Sequence, residues 1–140
     1  MTIMDLYNNG HTLSKSELIE LAKAQIAAIR RGSRWDEYGT NNYLDNIFQV
    51  FAVADDDPSY SEYELYNACG VNHRGRDFKG FVEQCRQAQR IEFLNIIANH
   101  FHEEVPSVRL AVSAFAVIIC VWDGRVKPLE RAALSTIMNL

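Results

Sequence analysis

Residues 111–134 read AVSAFAVIICVWDGRVKPLERAAL, and residues 50–65 read VFAVADDDPSYSEYEL. Each stretch ends an apolar run on an aspartate, turns through a few polar residues and starts a second helical pattern. In both, a glutamate follows the aspartate seven residues on: Asp55 is followed by Glu62, and Asp123 by Glu130. The spacing puts the aspartate at the end of one helix and the glutamate in the first turn of the next. Ser59 stands three residues before Glu62, the capping-box arrangement in which side chains and backbone N–H groups satisfy each other. In the second stretch Pro128 suits the first helical position, where its missing N–H costs nothing, and Gly124 permits a tight reversal. Each stretch is therefore expected to form a helical hairpin with two carboxylates near its corner. If the hairpins pack by pseudo-two-fold symmetry, four or more carboxylates meet at one end of the molecule. Singly, such a glutamate is an ordinary cap near the positive end of the helix dipole, and Asp-Gly is an ordinary turn. The repetition at equal spacing is what points to a site.

Outward from these corners the pattern is helical throughout. Prolines are few, alternating β-branched runs are absent, and apolar residues recur at helical spacing. A first helix starts at a capping box formed by Ser14 and Glu17, carries Leu18, Ala22, Ile26 and Ile29 on one face, and ends at Gly32. Others are expected from Asn42 to Ala54, from Ser59 to Gly70, from Asp77 to Gln87 and on through Ile91 to Phe101. The next runs from Pro106 to Trp122, is apolar nearly all round, and should be central. A last helix runs from Pro128 to the C-terminus, aligning Leu129, Ala133, Ile137 and Leu140. Residues 1–13 read as an N-terminal tail, 34–42 as the longest loop and 71–75 as a turn. The expectation is an all-α, single-domain bundle of about seven helices over residues 1–140, with an internal pseudo-two-fold repeat.

Composition agrees with one domain. The chain has 140 residues, 48% hydrophobic and 23% charged, which suffices for a core without staples. A formal net charge of −4 argues against a nucleic-acid partner and against docking on anionic lipid. The longest apolar run, Leu110 to Trp122, is too short for a membrane span. Three cysteines without a CxxC pair suit a reducing, cytoplasmic setting. The first ten residues lack the apolar run of a secretory signal.

The corner motif and the order of elements resemble the TerB-like family, named for tellurite-resistance proteins. The resemblance is carried by residues 111–134 and, in the first half, by AVADDDPSYSEYEL, and it covers about residues 14–140. It implies a helical bundle with pseudo-two-fold symmetry, a role in stress response, no established catalysis, and an acidic cluster that takes a divalent metal. Carried over position by position, the metal residues are Asp55, Glu62, Asp123 and Glu130, with Asp57 and Glu64 as additions. The first corner departs from the pattern, having Asp56 where the second has Gly124.

Other constellations are weaker. Asp55, Asp57 and Ser59 open like a calcium loop, but its sixth and twelfth positions are Tyr60 and Tyr66 rather than glycine and glutamate. His100, His102, Glu103 and Glu104 cluster at a helix end, where histidines two apart face different sides. Cys69, Cys85 and Cys120 lie in apolar helical patterns that suit inert packing. Arg30, Arg31 and Arg34, and Arg74, Arg76 and Lys79, read as solvated charge or one side of an interface with nearby aromatics. Three functions are thus expected in order. The first is a non-enzymatic domain holding calcium, magnesium, manganese or zinc at the corners. The second is a protein-interaction module, monomeric or homodimeric, whose carboxylates only cap helices. The third is a metal-dependent hydrolase, for which no separate general base is evident.

Overall fold

The computed structural model describes residues 1–54, 57–88 and 91–138, residue 91 by its backbone alone. These residues form α1 (Ile3–Asn9), a 3-10 turn (Gly10–Thr12), α2 (Lys15–Gly32), α3 (Glu37–Ala52), α4 (Tyr60–Ala68), α5 (Phe78–Gln87), α6 (Ile91–Glu103), α7 (Pro106–Val121) and α8 (Pro128–Leu134). There is no strand among the described residues.

The arrangement follows from α7. From Ala111 to Trp122 every side chain is buried, so no face of this stretch can border water. α7 accordingly packs against α1, α2, α3, α6 and α8. The stripe of Leu18, Ala22, Ile26 and Ile29 on α2 is buried in the same core. At its C-terminal end α2 comes so close that a Cβ added at Gly32 would stand 2.5 Å from Val108 Cγ2. The α3 face adds Leu44, Ile47, Phe48 and Phe51, and Phe48 stacks obliquely with Tyr66, Phe81 and Phe115.

Three expectations are corrected. Residues 1–13 are not a tail: Thr2 and Asp5 form a capping box that starts α1, and Leu6 is buried. The expected loop 34–42 is helix from Glu37 on, because Asp36 caps α3 by accepting the Gly39 N–H at 2.8 Å. The last helix is shorter than expected: α8 stops at Leu134, and Leu129 faces solvent rather than the core, while Leu140 lies outside the described residues. Whether α5 continues into α6 also falls on residues outside those described.

A polar knot crosses the apolar interior. Asp45 on α3 is almost fully buried. Its Oδ1 accepts hydrogen bonds from Gln49 Nε2 at 2.9 Å and from the Tyr66 hydroxyl at 2.5 Å. Its Oδ2 accepts from Arg76 Nη1 at 2.6 Å, and the same nitrogen donates to the Tyr66 hydroxyl at 2.9 Å. Arg76, expected at the surface, is thus an interior partner. Burying a carboxylate and a guanidinium costs several kcal/mol unless both are paired and hydrogen-bonded, as here. Removing only the acid strands the cation. Asp45→Ala is expected to lower unfolding free energy in urea by about 3–5 kcal/mol, and Tyr66→Phe by about 1–2 kcal/mol.

Candidate acidic cleft

The two corners meet. Ser59 Oγ donates to Asp123 Oδ2 at 3.0 Å, across 64 residues of chain. The Trp122 indole N–H donates to the Ser61 carbonyl at 2.8 Å and lies 2.9 Å from its hydroxyl. Lys15 Nζ donates to that hydroxyl at 2.5 Å and stands 4.7 Å from the centre of the Trp122 ring. These contacts place the end of α7 beside the start of α4, with a cleft of about 160 Å³ between the corners. Asp57, Glu62, Asp123, Arg125, Lys127 and Glu130 line it, together with Ser59, Ile119 and Cys120.

Local sequence sets each acid. Glu62 is the third residue of α4, and its Oε1 accepts the Ser59 N–H at 2.9 Å while Ser59 Oγ accepts the Glu62 N–H at 3.1 Å. Glu130 holds the equivalent place in α8, where its Oε1 accepts the Lys127 N–H at 2.9 Å. Lys127 has no side-chain acceptor, so only that half of a capping box forms. Both glutamates are nearly out of solvent, 8% and 5% exposed. Gly124 turns the second corner at φ 140°, a conformation that side chains other than glycine's rarely tolerate. Asp123 is exposed.

Of the acids expected at the corners, Glu62, Asp123, Glu130 and Asp57 line one cleft; Glu64 is exposed on α4 and does not. Asp55 lies outside the described residues. Cations accompany the acids. Arg86 donates to Asp57 through Nε at 3.2 Å and Nη2 at 2.9 Å, and this hydrogen-bonded guanidinium holds the Asp57 carboxyl below its ordinary pKa. Arg86, Arg125 and Lys127 were not legible as site residues. Arg86 reaches its partner across 29 residues, and no local spacing marks such a pair.

Oxygen donors of this kind suit a hard divalent cation. Among the described residues, however, no three His, Cys, Asp or Glu side chains gather closely enough to hold a metal ion. Nor does the histidine cluster converge: His100 packs on Trp35 at 5.0 Å, His102 Nε2 lies 3.3 Å from the Thr136 carbonyl, and Glu104 is buried. No protein-family model, curated protein or solved structure matches the chain.

All three cysteines are buried. Burial pushes the Cys69 thiol up to about 12, and burial together with the charges of Glu62 and Asp45 raises Cys85 as well. Burial also raises the Tyr43 and Tyr66 hydroxyls. All four groups are neutral when protonated, so the folded state keeps their protons after the unfolded chain has released them. The folded state then binds more protons, and stability falls as pH rises from about 9 towards 12. The urea midpoint is expected to be clearly lower at about pH 10.5 than at about pH 8, and native protein to resist a thiol reagent that labels all three cysteines in denaturant.

Proposed function

We propose that the chain is a non-enzymatic, TerB-like helical domain of the stress-response type whose corner cleft takes a divalent cation. The observation that carries this reading is the meeting of the two corners. Ser59 bonds Asp123, and acids from both corners line one cleft. Neither fold nor charge requires the spacing of seven to occur twice and the two copies to adjoin. A ligand shared between the corners accounts for both. The described acids do not complete a cation site by themselves. The reading therefore counts Asp55, which the repeat aligns with Asp123, as a further ligand.

A second reading has its own support. Glu62 and Glu130 each close a backbone cap, Asp57 is held by Arg86, and Arg125 and Lys127 add positive charge at the same cleft. On that reading the acids only fasten the corners, and the domain is a protein-interaction module without metal.

Thermal unfolding separates the two. Protein treated with chelator is melted alone and with calcium, magnesium, manganese or zinc, beside an Asp55→Asn, Asp123→Asn double variant. A ligand bound only by the folded state stabilises it by about 2.7 kcal/mol at a hundred times its dissociation constant. For a domain of this size that raises the midpoint by roughly 6–11 °C. The expected result is such a rise with one or more metals, lost in the double variant. An unchanged midpoint with every metal rejects the cation and leaves the interaction module.

A further inference from the structure

A larger pocket, separate from the acidic cleft, lies between the start of α3 and the middle of α6. Its volume is about 540 Å³, within the ordinary range for small-molecule sites. Aromatic side chains build much of its wall. The rings of Trp35 and Tyr43 stand 4.9 Å apart at 89°, and those of Trp35 and His100 stand 5.0 Å apart at 62°. Ile96 and Ile97 add apolar surface from α6, and Asn42 and Asn46 present carboxamides from α3.

The charged groups around this pocket are already engaged. Arg34 pairs with Glu103 at 3.2 Å, and Asp36 accepts the Gly39 N–H as the cap of α3. Arg74 donates to Asn42 Oδ1 at 3.0 Å, which aims the amide nitrogen of Asn42 elsewhere. What remains for recognition is neutral: π surfaces, the Asn42 N–H₂ and the Asn46 carboxamide. Asn46 is exposed, and its side chain has no hydrogen-bond partner among the described residues.

We infer that this pocket binds an uncharged planar nitrogen heterocycle of purine size, stacked on the Trp35 ring and read along its edge by Asn42 and Asn46. Carboxamides suit this task because they pair a donor with an acceptor, matching the amine and ring nitrogen of an adenine-like edge. The inference does not depend on the reading of the acidic cleft.

The two tryptophans make the test direct, since Trp35 lines the pocket and Trp122 sits at the acidic cleft, bonded to Ser61. Adenosine is titrated into the full chain while tryptophan emission is followed, with choline and inorganic phosphate as comparison probes. Adenosine is expected to quench saturably, to do so equally in Trp122→Phe, and to bind at least about fivefold more weakly to Asn46→Ala, the loss of roughly one paired edge contact. Asn46 is exposed, so that variant is expected to melt like the parent; a parallel melting curve checks this. Absence of saturable quenching up to about 5 mM adenosine, the weak limit for a specific site, overturns the inference. Equal binding by Asn46→Ala, or tighter binding of choline or phosphate than of adenosine, overturns it too.

Discussion

A helix with no polar face cannot border water, and α7 is such a helix over Ala111 to Trp122. Each fully buried aliphatic or aromatic side chain contributes roughly 1.5–3 kcal/mol, so enclosing this stretch outweighs any local preference of its neighbours. α2 and α3 turn their apolar stripes towards it, α1 closes part of its flank, and α8 folds back after the Gly124 turn to cover more. The one polar residue inside the stretch, Ser113, is buried with the rest. The corner cleft lies at one end of this enclosure. α7 must end somewhere, and it ends where Trp122 can bond Ser61 and Asp123 can bond Ser59.

Much of this was readable from periodicity. Seven of the helices were legible because each carries an apolar stripe or a capping signal. Ser14 with Glu17 and Ser59 with Glu62 form the capping boxes that their spacing implies. What escaped did so for definable reasons. α1 is too short to show a period, and its start rests on the single Thr2–Asp5 pair. The start of α3 was hidden because Trp35, Tyr38 and Gly39 favour no helix by themselves, although Asp36 three residues before Gly39 is a cap. The last helix was overextended because Ile137 continues the apolar spacing and is buried, although the chain leaves the helix after Leu134.

The sites divide along the same line. Glu62, Asp123 and Glu130 were legible because each belongs to a local pattern of capping and turning, and such patterns survive in one dimension. The knot of Asp45, Tyr66 and Arg76 was not, because its members come from three parts of the chain and each alone looks ordinary. The aromatic pocket is the same kind of object. Trp35 and Tyr43 were visible as aromatics, and His100 as part of a polar helix end. Only the packing of α6 against α3 makes them neighbours. Interactions that close between distant segments leave no spacing to read.

The partnership of α2 with α7 also has a bearing on how the chain is made. Synthesis delivers α1, α2 and α3 before α7, against which all three pack. Until Ala111 to Trp122 has emerged, the stripe from Leu18 to Ile29 has no complete place to go. A nascent chain that carries α1 to α3 therefore keeps an uncovered hydrophobic face until α7 emerges, so this core closes in one step rather than helix by helix. A domain whose central helix is made after the helices it joins depends on the machinery that shields nascent chains more than one organised around its first.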